Sequence, residues 1–417
     1  MIKNSIPQIR FQGFDSWWET IKLTDLGISV GGTAIESEFD PDGKYKVISI
    51  GSYSEESKYK DQGIRAIYSK KTEKRILEKD DLTMILNDKT STGKIIGRVL
   101  LIDEDNSYVY NQRTQRICLD KNKYVPDFIF QLLNADINRN KIVRSAQGNT
   151  QIYVNWSDIS NLDYLIPDSF DEQSAIGSLF RTLDDLLASY KDNLANYQSF
   201  KATMISKMFP KAGQTVPEIR LDGFEGEWEE LQLSDICQKV TEKNKDNKFN
   251  ETFTNSAEFG IINQRDFFEK DISNEKSLNT YYVVRNNDFV YNPRISNYAP
   301  VGPIKRNKLG RTGVMSPLYF VFRIINSNID LNFLETFFDT NTWHKFMKLN
   351  GDSGARADRF AIKDSVFLTM PIAFPSLPEQ QAIGSYFSNL DNLITAHQEK
   401  ISQLETLKKK LLQDMFI

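Results

Sequence analysis

The stretch EQSAIGSLF at 172–180 returns as EQQAIGSYF at 379–387, 207 residues further along the chain. Outward from each copy an apolar position recurs in alternating steps of four and three. The first seam is Ile176, Phe180, Leu183, Leu187, Tyr190, Leu194, Tyr197, Lys201, Met204 and Met208. The second is Ile383, Phe387, Leu390, Ile394, His397, Ile401, Leu404, Lys408, Leu411 and Met415, in the same register. About five heptads without an internal proline predict two long helices, each with a coiled-coil face. Acid at each start, Asp171 with Glu172 and then Glu379, suits the positive end of a helix dipole. Because the seams share a register, the natural partner of each helix is the other. Lys201 and Lys408 interrupt both seams at one position, where a lysine either snorkels or helps to fix register.

A second repeat opens each half. PQIRFQGFDSWWETIKLTDLG at 7–27 matches PEIRLDGFEGEWEELQLSDIC at 217–237, at an offset of 210. The chain is therefore a tandem duplication. Each half is a short signature, a body that diverges between copies, and a helical block. The boundaries fall at 1–168, 169–212, 213–376 and 377–417. Within the bodies, 151–156 and 318–325 read as strands, and 127–137 and 331–347 as helices. The fold class is α+β, with two struts holding two unlike bodies in quasi-two-fold symmetry.

At 417 residues and 40% hydrophobic, the chain can fill two ordinary cores. It has no apolar run of membrane-spanning length and no signal-peptide core at its start, so no membrane association is expected. Cys118 and Cys237 make no disulfide framework or zinc site, and two reduced thiols point to the cytoplasm. A net charge of −4 is mildly against a uniformly basic nucleic-acid binder, so charge has to be read locally. Several catalytic look-alikes fail. GDSG at 351–354 evokes a protease serine, but the chain holds only His344 and His397, and His397 sits on the helical seam. Asp42 with Glu56 and Lys58 imitates a metal-nuclease pattern without further ligands, and there is neither GxGxxG nor a Walker A loop. No metal site, bound cofactor or catalytic group is expected on this chain.

The block PSLPEQQAIGSYFSNLDNLITAHQEKISQLETLKKKLLQDMF, with RxxGFxxxWE at 10–19 and 220–229, resembles the specificity subunits of type I restriction-modification systems. The resemblance covers both ends of both halves. It implies two tandem target recognition domains joined by two long helices in an antiparallel coiled coil. Each domain would read one half of a bipartite, asymmetric double-stranded DNA site, and the helices would set the spacer. The same region would dock two methyltransferase subunits, with two restriction/translocase subunits completing the assembly. S-adenosylmethionine, ATP and Mg are then expected on those partners, in a bacterial cytoplasm. DSFDEQ at 168–173 lacks the usual Pro-Leu-Pro run, which suggests a looser entry to the first helix. Independently, a helix of about 40 residues spans about 60 Å, so domains at opposite ends of paired struts can address one DNA face one to two turns apart. The competing readings are a coiled-coil scaffold for other proteins, which predicts no sequence-dependent DNA binding, and an enzyme with an unrecognised site, which predicts turnover by the isolated chain.

Charge and donor geometry nominate the DNA-facing residues. In the second body seven cations between Arg285 and Arg323 face one acid in sequence, Asp288. From it come Asn292, Arg294, Asn297, Tyr298, Lys305, Arg306 and Arg311. On this reading Arg294→Ala relaxes sequence preference at one position, and Arg306→Ala weakens binding to all sequences alike. In the first body the candidates are Asn87, Lys89, Ser91, Thr92, Lys94 and Arg98, followed by Arg113 and Gln115. Small polar loops late in each body add Gln147 and Asn149, and Ser353, Arg356 and Arg359. The seam residues nominated for helix pairing and partner docking are Ile176, Phe180, Leu183, Leu187 and Leu194, with Ile383, Phe387, Leu390, Ile394, Ile401 and Leu404.

Overall fold

The structure, a computed structural model, describes residues 6–267, 275–352 and 358–417. Four helices carry the architecture: α1 (Pro126–Asn134), α2 (Phe170–Met208), α3 (Leu331–Asp339) and α4 (Leu377–Met415). Two compact units emerge. One joins Met1–Lys191 with Glu399–Ile417, and the other is Asp192–Gln398. Each unit therefore contains one body, the start of its own long helix and the end of the other.

In the first unit a four-stranded antiparallel sheet runs in the order Gly27–Gly31, Thr114–Leu119, Leu82–Ile85, Val99–Leu101. Leu82–Ile85 is buried throughout, as expected of an inner strand covered on both faces. A three-stranded sheet (Arg65–Ala66, Tyr45–Ile48, Tyr108–Tyr110) lies beside it, and the signature strand Glu19–Lys22 pairs with Asp163–Ile166. Proline at the first position starts α1, which buries Phe128, Ile129, Leu132 and Leu133. The second unit repeats the plan. Its sheet is ordered Cys237–Lys239, Phe320–Ile324, Phe289–Tyr291, Ile304–Arg306, and Glu229–Gln232 pairs with Pro371–Phe374. Asp330 caps α3 by accepting from Asn332 N and Phe333 N. The helix read over 331–347 is two, α3 and His344–Asn350. Thr340 separates them, its Oγ1 turning back to Phe337 O. The strand read over 151–156 shortens to Ile152–Tyr153, because Trp156 begins a helical turn.

The repeated nonapeptide fastens each body to its helix. Glu172, 1% exposed, receives Arg10 Nε and Nη2 at 2.6 and 2.7 Å. Glu379, also 1% exposed, receives Arg220 in the same fork, both bonds at 2.7 Å. Gln173 accepts from Val125 N and donates to Lys123 O and Pro167 O. Gln380 does the same with Asp330 N, Asn328 O and Pro375 O. Gly177 lets the first turn of α1 approach: a Cβ there would lie 2.9 Å from Phe128 N. Gly384 does likewise for Phe333 N, again 2.9 Å. At the entry to α2, Asp168 and Asp171 stand where the second copy has Pro375 and Pro378, and Ser169, matched by Ser376, caps the helix, its Oγ accepting from Glu172 N at 3.3 Å.

Within each unit the long helices run antiparallel. In the first, Lys408 Nζ lies 2.6 Å from Asp184, Lys191 Nζ 2.6 Å from Glu405, and Phe416 packs on Phe180 and Phe128. In the second, Lys201 Nζ lies 2.6 Å from Asp391, Tyr197 packs on His397, and Phe209 packs on Phe387, Trp228 and Phe333. Ile176, Phe180, Leu183, Leu187, Ile383, Phe387, Leu390 and Leu404 are buried, whereas Leu194, Ile394 and Ile401 are half-buried. The seam is deepest where a helix enters a body and shallower between.

Candidate nucleic-acid interface

In the second unit, Asn292 ends an inner strand at 7% exposure. Its Nδ2 donates to Asn255 O and its Oδ1 accepts from Arg294 N. It shapes a turn and offers no edge to a base, which corrects its assignment as a reader. Beyond it Arg294, Asn297 and Tyr298 are exposed, Tyr298 at 80%. Arg294 lies opposite Arg359 in an antiparallel bridge, held by Ile295 N to Asp358 O (3.1 Å) and Phe360 N to Pro293 O (2.8 Å). Segments 65 residues apart in sequence thus share one surface. Ser353 and Arg356, with the second half of the GDSG motif, lie outside the described residues.

The basic stretch proves to be largely neutralised. Arg285 pairs with Glu242, Lys305 with Asp339, Arg306 and Lys308 with Glu335, Arg311 with Glu251, and Arg323 with Asp288. The sequence displays only Asp288 nearby because the other acids arrive from distant strands and helices. Arg306 is 9% exposed and also donates to Asn332 Oδ1 at 2.6 Å, so it braces α3 against its strand instead of meeting phosphate. Lys305 is half-buried in the same seam. The hydrogen bonds that Arg323 donates to Asp288 hold it above the ordinary guanidinium range, and those that Arg311 donates to Glu251 do the same for Arg311. Among the described residues, Arg294 is the cation of this stretch that makes no ion pair.

The first unit gathers its loops in a parallel way. Strand Asn87–Asp88 pairs with Ile152–Tyr153, and Tyr153 bridges Gln147. Leu86 N donates to Arg113 O while Leu86 O accepts from Val154 N, both at 2.9 Å. Asn87, Arg113, Gln147 and the exposed Asn149 therefore cluster. Lys89, Ser91 and Thr92 are exposed on a loop fastened by Asp88, which accepts from Thr90 N and Ile95 N. Lys94 is exposed but paired with Glu55 at 2.9 Å. Gln115 is corrected: it is 4% exposed, inside the central sheet opposite Gly31 and Met84. Arg98 stands apart from these loops. It lines a cavity of about 890 Å³ with Glu56, Asp136, Asp184, Lys191 and Lys408, and burial pulls it down to about 10. Arg116 belongs to the framework as the counterpart of Arg323, 2.6 Å from Asp81. Tyr153, beside Gln147, shares this surface without carrying a charge or amide that marks it in the sequence. The alternation Ile152 inward, Tyr153 outward, Val154 inward was the signal for it.

Each unit is thus a compact sheet-and-helix body that gathers an early and a late loop into one polar, partly cationic surface. Among the described residues there is no cluster of His, Cys, Asp and Glu fit to hold a metal, and no helix long and apolar enough to cross a membrane. The fold and its surface define a duplicated recognition scaffold. The profile described as the type I restriction modification DNA specificity domain matches residues 16–196 and again 225–406. The chain belongs to that family, the DNA specificity subunits of type I restriction-modification systems. The type I restriction enzyme MjaVIII specificity subunit of Methanocaldococcus jannaschii is 21% identical over 411 residues, spanning 95% of this chain and 91% of that protein. The crystal structure of a type I restriction-modification S subunit from M. genitalium covers 99% of both chains with a TM-score of 0.63 at 15% identity, a likeness of fold.

Proposed function

We propose that each unit reads one half of a bipartite, asymmetric duplex site, that the antiparallel helices set the unread spacer, and that the chain supplies recognition without catalysis. The observation that carries this reading is the combination of an identical fastening with unlike surfaces. Arg10–Glu172 and Arg220–Glu379 repeat residue for residue, while the loops they support present Asn87, Arg113 and Gln147 in one unit and Arg294, Tyr298 and Arg359 in the other. A scaffold for one kind of partner has no use for two different heads on one mount. Methyltransferase subunits, bringing S-adenosylmethionine, and restriction/translocase subunits, bringing ATP and Mg, would supply the chemistry in the cytoplasm. Exposed apolar residues recur at matching places on the long helices, Leu186 with Leu393 and Phe200 with Leu407. Such a duplicated patch suits two copies of one partner.

The test is a single-molecule methylome of cells carrying this chain and its methyltransferase subunit. The expected result is a split motif with adenine modified in both portions. Replacing the first body by a foreign one should change one portion only. Modification without a split motif, or a change in both portions, would overturn the reading.

A further inference from the structure

The second unit holds a polar cleft of about 540 Å³ whose residues are only partly explained by packing. Its floor is Asn255, 2% exposed, whose Nδ2 donates to Val290 O and Pro303 O and whose Oδ1 is buried without a donor. One wall is Gln264. Its backbone N–H is fixed to Thr252 O at 2.8 Å, yet its side-chain Oε1 is also buried without a donor. The mouth carries Arg294, free of ion pairs among the described residues, and the exposed ring of Tyr298. Buried acceptors with no donor are scarce in folded proteins, because the lost hydration is not recovered. Two in one cleft, beside an unneutralised cation, mark a place where a donor is supplied from outside.

Resting on the DNA-reading role proposed above, we infer that this cleft reads an adenine edge in the second unit's half-site through Gln264. An amide side chain can accept from adenine N6 and donate to N7, a pairing that no other base edge in the major groove completes. Asn255 is a positioning residue that holds the cleft open through Val290 and Pro303. Arg294 binds the flanking phosphate, so that Arg294→Ala weakens binding to all sequences in place of relaxing one position, and Tyr298 gives the backbone an aromatic face.

The experiment uses the chain in complex with its methyltransferase subunit on a randomised plasmid library, with modified sites read by sequencing. Gln264→Ala should leave one portion of the motif intact and reduce preference for adenine at one position of the other by roughly five- to hundredfold. Gln264→Glu, equal in volume, keeps the acceptor and loses the donor, and should move that position toward cytosine. Should Gln264→Ala fail to fold, Gln264→Glu carries the test. Unchanged letters with Gln264→Glu, or with a folded Gln264→Ala, would overturn the inference while leaving the half-site reading intact. A wild-type complex with no split motif would overturn both.

Discussion

Arg10 and Arg220 show how one residue can hold an architecture. Each forks onto a glutamate that is 1% exposed at the start of a 39-residue helix. A buried carboxylate stripped of its cation is far more costly than an exposed pair is valuable. Arg10→Ala and Arg220→Ala should each lower stability by about 3–5 kcal/mol in urea unfolding, while Glu172→Gln, which keeps an acceptor for Arg10 and leaves unpaired only the more exposed partner of the two, should cost less. Arg306 obeys the same rule. Arg306→Ala should cost about 3 kcal/mol by leaving Glu335 underpaired, and should leave the salt dependence of DNA binding at its wild-type slope. A slope shallower by about one would restore the phosphate role. Burial pushes the Cys237 thiol up to about 12, and Cys118 is raised by the same cause. Cys237 should resist alkylation in the native chain at neutral pH and the half-buried Cys118 should react first, as intact-mass measurement would show.

At the scale of the element, the lysines that interrupt the heptads fix register. Lys201 and Lys408 occupy equivalent places, and each meets the equivalent aspartate of the opposing helix, Asp391 and Asp184. Both pairs are partly exposed, so their value is modest. A double-mutant cycle on Lys408→Ala and Asp184→Ala should return a coupling of about 0.5–1 kcal/mol, falling with added salt. A charge swap, Lys408→Asp with Asp184→Lys, should recover most of the loss. The glycines act by contact. Gly177→Ala and Gly384→Ala push a methyl against the first turn of α1 or α3 and should each cost about 1–3 kcal/mol, read as a fall in Tm.

At the scale of the molecule, each core is completed by residues from the far end of the sequence block belonging to the other body. Phe416 and Met415 fill the first unit's core, and Phe209 and Met208 the second's. Phe416→Ala should cost about 3–5 kcal/mol and speed hydrogen exchange across the first unit, and Phe209→Ala should do so across the second. The four contiguous blocks read along the chain are thus regrouped in space into two units, each drawing on both halves.

The sequence by itself determined the duplication, the α+β class, the two long helices and the seam, of which Leu194, Ile394 and Ile401 are only half-buried, because periodicity and repetition are local and survive without coordinates. It also located the loops that carry Arg294, Asn297, Tyr298, Arg113 and Gln147. Only the tertiary structure decided which polar residues of those loops are spent on the framework. Gln115, Asn292 and Arg306 look like DNA readers in one dimension, but a strand partner, a turn or Glu335 claims each of them in three. Charge along the chain is additive, whereas its effect falls with distance in space. An acid brought in from an unrelated strand or helix is invisible to any window on the sequence, and it decides whether an arginine faces DNA or its own protein.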